Sequence, residues 1–176
     1  MKQILVFSGS NNSASINKAL ATYASSLLTD VDINILDLNH FELPIYGVDY
    51  EKEHGIPDNA HQFLNAIKSC DGIILSLAEH NGVYTTVFKN LFDWMSRIDN
   101  KLWSEKPMLL MATSSGARGG ISVLETAKSR FPYMGGHIVA DFSLPSFNDN
   151  FSEGKLINDN LNKTLKTQVD VFQNSL

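Results

Sequence analysis

Small polar residues form a run near the amino terminus, at Ser8-Gly9-Ser10-Asn11-Asn12-Ser13. The run follows an apolar stretch, residues 4–7, and precedes a helical pattern that begins at Ser15. Backbone N–H groups at the start of a helix, together with Ser and Asn side chains, direct hydrogen-bond donors toward an anion. These residues therefore predict a phosphate site, although a plain turn with Ser15 as an ordinary N-cap fits them as well.

Two further polar loops separate a strand pattern from a helical pattern, at residues 78–85 and 113–120. The first can offer main-chain N–H and C=O groups to a flat heterocycle, on which His80 could stack. In the second, Gly119 and Gly120 permit a close approach of the backbone to a ligand. Two alternatives stay open. Glu79 and His80 could instead be a solvated pair of loop side chains, and Arg118 could either pair with an anion or be a solvated side chain.

Several common kinds of site are disfavoured by the absence of their motifs. The chain has no G-x-G-x-x-G after its first strand, which disfavours Rossmann-type NAD binding, and no G-x-x-x-x-G-K-[ST], which disfavours a P-loop. It also has no G-x-S-x-G, so a hydrolase triad is disfavoured. The five histidines are scattered rather than placed at ligand spacing, so we expect no metal site. A net charge of −5 without a basic run argues against nucleic-acid and membrane partners.

Strand-like runs alternate with helical patterns along the whole chain. The pattern predicts five strands, at residues 4–7, 32–36, 72–77, 107–113 and 137–142. It predicts helices at residues 15–28, 59–69, 85–97, 120–130 and 153–172, with a long connection over residues 37–58. Several strands are almost continuously apolar, which is typical of a parallel sheet with helices on both faces. We expect one α/β domain, residues 1–176, with the three polar loops at the carboxyl ends of its strands.

The amino-terminal residues and the cysteine content indicate the cellular compartment in which the protein is expected. Lys2 precedes the four apolar residues at 4–7, which is too short a run for a secretory leader. A single cysteine, Cys70, cannot form an intrachain disulfide, and we expect it to be a small buried thiol. The sequence therefore predicts a cytoplasmic protein.

The joint spacing of these residues resembles the NADPH-dependent FMN reductase family, which has a flavodoxin-like fold. The family's first loop commonly has G-S-x-R-x-x-S-x-N, and residues 9–17 match it except that Asn12 replaces the arginine. Its second block, P-E-Y-N-x-x-x-P-x-x-L-K-N-x-x-D-W, is similar to residues 78–94, with Ala78, His80 and Thr85 as departures. Residues 43–46 and 114–120 resemble two further family segments.

This resemblance implies a doubly wound, five-stranded parallel sheet in the order 2-1-3-4-5, with helices on both faces. It also implies FMN as cofactor and NADPH or NADH as co-substrate, with electrons passing to a small acceptor such as a quinone. Family members usually form dimers or tetramers, so a homodimer or homotetramer is expected. The aromatic residues Phe88, Phe92 and Trp94 fit such an interface, and they equally fit a core-facing helix.

The resemblance also assigns cofactor-binding residues, but no catalytic side chain. It places the FMN phosphate on neutral donors at Ser10, Asn12, Ser15, Ile16 and Asn17. It places the isoalloxazine ring between two sets of residues: Ala78, Glu79, His80, Asn81 and Gly82 on one side, and Ser114, Ser115, Gly116, Gly119 and Gly120 on the other. Two alternatives remain, which are an FMN-binding electron carrier or sensor without nicotinamide turnover and a flavin-free interaction module.

Overall fold

A five-stranded parallel sheet forms the centre of the fold. The computed structural model describes residues 1–176. Its sheet strands are β1 (Lys2–Ser8), β2 (Val31–Ile35), β3 (Gly72–Leu77), β4 (Pro107–Thr113) and β5 (His137–Leu144). They pair in parallel in the order β2-β1-β3-β4-β5, which confirms the flavodoxin-like order that the resemblance implied.

Seven helices connect or follow these strands. They are α1 (Ile16–Ser26), α2 (Val48–His54), α3 (Asp58–Ser69), α4 (Thr86–Ile98), α5 (Ile121–Arg130), α6 (Phe147–Asn150) and α7 (Asp159–Gln173). Two short 3₁₀ turns lie at Leu38–His40 and Phe131–Met134. None of the helices is both long enough and apolar enough to cross a membrane.

Both faces of the sheet are covered, as the apolar strands predicted. In β1, Leu5 and Phe7 pack toward α3, α4 and α5, whereas Ile4 and Val6 pack toward α1 and α7. Successive side chains of a strand point to opposite faces, so an unbroken apolar strand needs a cover on each side. The α4 aromatics Phe88, Phe92 and Trp94 are buried in the protein, which settles their two predicted roles in favour of the core.

The predicted start of the last helix is wrong. Residues 153–158 do not belong to it, because Phe151–Ser152 and Lys155–Leu156 pair as an antiparallel hairpin. Gly154 has a φ of +77° in the turn of that hairpin, a conformation that glycine adopts without steric strain. Helix α7 begins only at Asp159, where the Asn158 side chain accepts a hydrogen bond from the N–H of Leu161.

The second polar loop also has regular structure that the sequence analysis did not predict. Glu79–His80 and Val83–Tyr84 pair as a short antiparallel hairpin, called here the 79–84 hairpin. Asn81 and Gly82 both have positive φ, 53° and 83°, which is the geometry of a two-residue hairpin turn. Likewise, the long connection over residues 37–58 contains a 3₁₀ turn and α2.

An ion pair joins α1 to the chain just beyond β2. Lys18 Nζ lies 2.6 Å from Asp37 Oδ2, and Asp37 also accepts a hydrogen bond from the N–H of Asn39. These contacts, led by the Lys18 hydrogen bond, lower the pKa of Asp37 to about 2. The pair therefore contributes stability above the ordinary aspartate pKa of 3.8, and this stability is lost as the pH falls toward 2.

We predict that Asp37→Asn lowers the free energy of unfolding at pH 7 by about 1 kcal/mol, since partial exposure screens the pair. Asparagine keeps an acceptor for Asn39, so the change isolates the charge. Urea denaturation at pH 7 and at pH 2 to 4 measures the free energy of unfolding. The difference in this free energy between the variant and the wild type should shrink as the pH falls. Asp93→Asn is the control, because Asp93 pairs with Lys89 on an exposed helix surface. An equal loss in both variants would contradict the prediction.

Candidate functional site

The three polar loops meet around one cavity of about 330 Å³ at the carboxyl edge of the sheet. The expected site residues that line it are Ser10, Asn12, Ser15, Ile16, Asn17, Ala78, Glu79, His80, Ser114 and Ser115. Five others lie outside its walls, namely Asn81, Gly82, Gly116, Gly119 and Gly120. The sequence analysis missed Asn11 and Thr113, which also line the cavity and belong to the loops it had named.

Three side chains of the first loop present donors because their oxygens are already used as acceptors. Ser10 Oγ accepts from the N–H of Asn12, and Ser15 Oγ accepts from the N–H of Lys18, both at 3.1 Å. Each hydroxyl therefore keeps its proton for another acceptor. Asn12 Oδ1 accepts from the N–H of Ala14 at 2.9 Å, which leaves its NH₂ group free.

Two backbone donors complete this set at the start of α1. The N–H groups of Ile16 and Asn17 have no acceptor within the protein, because they belong to the first turn of the helix. Both residues line the cavity, where the positive end of the helix dipole favours an anion. We call Ser10, Asn12, Ser15, Ile16 and Asn17 the donor cradle. A set of neutral donors without a competing acceptor fits a phosphate group.

The side chain of Asn17 is used to hold the loops rather than to bind a ligand. Its Oδ1 accepts from Ser76 Oγ at 2.7 Å and from the N–H of Thr113 at 3.0 Å. Its Nδ2 donates to the C=O of Thr113 at 3.1 Å. Asn17 is 2% exposed, so these bonds are shielded from water. They tie α1 to the ends of β3 and β4, and only the backbone N–H of Asn17 remains for a phosphate.

The 79–84 hairpin is fixed to α5 by Glu79. The N-cap of α5 is Gly120, which has no side chain to cap the helix. Glu79 Oε2 takes that place by accepting from the N–H of Val123 at 3.0 Å, and a carboxylate is favourable at a helix N-terminus. Glu79 is half-buried and is thus fastened to α5 through one of its two carboxylate oxygens. His80 is exposed at the rim of the cavity.

Thr85 joins the second loop to the first. Its hydroxyl donates to the C=O of Gly9 at 2.7 Å and accepts from the N–H of Phe88, which caps α4. Thr85 is 2% exposed and stands where the family pattern has a proline. A proline at this position would restrict the loop through its fixed φ, and here the two buried hydrogen bonds of Thr85 restrict it instead.

The third loop is held against the chain that follows β5. A Cβ on Gly119, where φ is +59°, would lie 2.8 Å from the carbonyl carbon and oxygen of Leu144, so the two backbones come too close for any other residue. The N–H groups of Ser146 and Phe147 donate to the C=O groups of Gly116 and Ser114, at 2.9 and 3.0 Å. This fastening carries Ser114 and Ser115 to the cavity.

Arg118 does not face the cavity. Its Nη2 donates to Ser122 Oγ at 3.0 Å on the exposed side of α5. Of its two predicted roles, the structure favours a solvated side chain. No group of three His, Cys, Asp or Glu side chains is arranged to hold a metal ion.

A neighbouring cleft of about 360 Å³ opens beside the cavity and shares Asn11 and His80 with it. Its apolar wall consists of Leu43, Ile45 and Val87. We call it the side cleft. Residues 43–46 are held there by α4, because Asn90 Nδ2 and Trp94 Nε1 both donate to the C=O of Pro44, at 3.0 and 2.8 Å.

The fold and the position of the cavity define the chain as a flavodoxin-like α/β protein with a ligand crevice at the carboxyl edge of its sheet. Residues 2–149 match the family model described as NADPH-dependent FMN reductase, and the chain belongs to this family.

Similar proteins with assigned names are flavin or quinone reductases. A quinone reductase of Escherichia coli is 28% identical over 119 residues, which are 67% of this chain and 63% of that protein. The chain thus spans less than two thirds of that relative. An NAD(P)H-dependent FMN reductase of Pseudomonas aeruginosa is 25% identical over 175 residues, covering 97% of this chain and 93% of that protein.

Solved structures of low identity share the fold. The flavoenzyme NAD(P)H:(acceptor) oxidoreductase FerB from Paracoccus denitrificans has a TM-score of 0.78 at 22% identity, over 99% of this chain and 96% of that one. Oxidised flavodoxin 1 from Bacillus cereus has a TM-score of 0.64 at 14% identity, over 100% and 99% of the two chains.

We predict that Asn17→Ala lowers the free energy of unfolding by about 3 kcal/mol, because buried groups of Ser76 and Thr113 lose their partners. Urea denaturation followed by circular dichroism measures the change. Asn12→Ala is the matched control, since Asn12 is exposed in the loop before α1 and the change should alter the free energy of unfolding by less than about 1 kcal/mol. Similar small losses in the two variants would show that Asn17 does not brace the loops.

Proposed function

We propose that the chain is one flavodoxin-like domain, residues 1–176, that binds FMN and acts as an NAD(P)H-dependent oxidoreductase. It would take electrons from NADPH or NADH and pass them to a small oxidised acceptor such as a quinone. The observation that carries this proposal is the donor cradle at the start of α1, which faces a cavity of about 330 Å³. Family membership and the named quinone and FMN reductases support it.

The donor cradle would hold the FMN phosphate without a cation. The nearby cation of α1, Lys18, is paired with Asp37 and does not line the cavity. Asn12 stands where the family commonly has arginine, so binding relies on neutral hydrogen bonds and the helix dipole. These donors are ordered before any ligand binds, because Ser10 and Ser15 are already fixed by hydrogen bonds to the backbone.

The flavin ring would lie between Ala78 and His80 on one side and Ser114 and Ser115 on the other. Bound FMN supplies the redox chemistry, accepting a hydride from the nicotinamide and giving electrons to the acceptor. The chain orients the reactants, and no side chain is needed as a general acid or base. Glu79 contributes indirectly, since its bond to α5 positions the 79–84 hairpin.

The side cleft is our candidate for the place where nicotinamide and acceptor bind in turn. It touches the cavity through Asn11 and His80, so a ring in the cleft would lie next to the flavin. Its apolar wall of Leu43, Ile45 and Val87 suits a flat, weakly polar ring such as a quinone.

We further propose that the protein forms a homodimer or homotetramer through the surface beside the side cleft. Three apolar side chains are exposed there or in adjoining segments, with Ile45, Val48 and Val83 exposed by 70%, 55% and 50%.

A cytoplasmic location is also proposed, because the lone Cys70 is buried and free, which suits a reducing compartment.

The purified protein should show the absorption spectrum of bound flavin and should oxidise NADPH or NADH when a benzoquinone is supplied. Bound FMN without nicotinamide oxidation would contradict the enzyme and favour an electron carrier or sensor. A colourless protein that fails to take up added FMN would favour an interaction module instead.

We predict that Ser10→Ala raises the Kd for FMN about tenfold, since it removes one hydrogen bond to a charged phosphate. Isothermal titration calorimetry measures the Kd. Ser13→Ala is the matched control, because Ser13 lies in the same loop but does not line the cavity. The Kd of the Ser13→Ala variant for FMN should change by less than about twofold. If Ser10→Ala and Ser13→Ala changed the Kd equally, the proposed position of the phosphate would lose its support.

A further inference from the structure

The largest groove on the protein lies on the other side of the first loop. It has a volume of about 660 Å³ and separates α1 from residues 147–154, and we call it the outer groove. Ser15 and Ile16 line both the outer groove and the cavity described above. A ligand seated in the donor cradle would therefore lie directly beside the outer groove.

One wall of the outer groove is aromatic and is rigid without a ligand. Phe147 and Phe151 stack with their ring centres 4.6 Å apart, and Tyr23 meets Phe151 edge-on at 5.9 Å. The Tyr23 hydroxyl donates to Asn162 Oδ1 at 2.8 Å, which fixes its ring. A preformed wall of aromatic rings is suited to a planar heterocyclic ligand.

The other wall is α1 itself, which contributes Tyr23 to the aromatic contacts and presents short side chains along one face. Ser15, Ala19, Thr22 and Ser26 follow each other at intervals of three or four residues and all line the outer groove. At the helical rise per residue, this face is about 16 Å long, which is sufficient for a nucleoside. The combination of a flat aromatic wall and hydroxyl groups fits a base joined to a sugar.

The charges of the outer groove favour a nucleoside that carries no phosphate beyond the one that links it to the flavin. Its one cation, Lys18, is neutralised by Asp37 at 2.6 Å. Glu153 also lines the outer groove and forms no ion pair with any basic side chain. A carboxylate there can accept hydrogen bonds from ribose hydroxyls, as acidic residues do in dinucleotide sites, and would repel a phosphate at the 2′ position of the ribose.

We propose that the outer groove binds the adenosine half of FAD, so that the chain binds FAD as well as FMN. This inference rests on the proposed position of the flavin phosphate in the donor cradle. The adenosine of FAD is joined to that phosphate through one further phosphate, and Ser15, where the flavin phosphate would lie, also lines the outer groove. The link would hold the adenosine close to the groove once the flavin is bound.

Isothermal titration calorimetry of the whole chain with FMN and with FAD tests the proposal without any activity assay. FAD should bind the wild type about tenfold more tightly than FMN. Thr22→Trp places a bulky ring in the middle of the outer groove, and it should remove this preference while leaving the FMN affinity unchanged. Thr167→Trp is the matched control, because Thr167 is an exposed threonine of α7 away from the outer groove. It should retain the preference for FAD.

Three results would overturn the proposal. The first is equal affinity of the wild type for FAD and FMN. The second is a Thr22→Trp variant that keeps its preference for FAD but loses affinity for NADH, which would assign the outer groove to the nicotinamide dinucleotide. The third is binding of neither flavin by the wild type, and this result alone would also remove the proposed function.

Discussion

The buried side chain of Asn17 is the contact on which the geometry of the site depends. Its amide bonds to Ser76 at the end of β3 and to both backbone groups of Thr113 at the end of β4. Because Asn17 is the second residue of α1, these bonds fix the start of that helix against the carboxyl edge of the sheet. The free N–H groups of Ile16 and Asn17 are therefore aimed into the cavity by a contact that involves no ligand.

Other parts of the site are positioned in the same way, by polar contacts between neighbouring loops. Thr85 binds the C=O of Gly9, Glu79 caps α5 in place of Gly120, and the third loop is fastened to residues 146 and 147. Each contact satisfies a buried or partly buried polar group that would otherwise cost stability. The groups that the donor cradle leaves for a ligand are donors, which explains how this part of the cavity can suit a phosphate without a free cation.

The sequence alone predicted the strands and the location of the cavity better than the roles of single side chains. Continuous apolar runs and their spacing were sufficient for five strands, and the family resemblance gave their order. The side-chain role of Asn17 depends on the ends of strands 59 and 96 residues away, and no local pattern predicts such contacts. The turns at Asn81-Gly82 and at Gly154 have local sequence features, since Asn and Gly readily adopt positive φ. The helix predicted from residue 153 was wrong because Gly154 makes a hairpin turn and the helix begins only at Asp159.

We propose that the donor cradle binds the flavin through its phosphate, and a comparison of riboflavin with FMN tests this most directly. The two ligands share the isoalloxazine ring and the ribityl chain and differ only in the phosphate. Isothermal titration calorimetry on the flavin-free protein should give a Kd for FMN that is lower by a factor on the order of 100, as expected for several hydrogen bonds to a charged group. Equal Kd values for riboflavin and FMN would contradict the account.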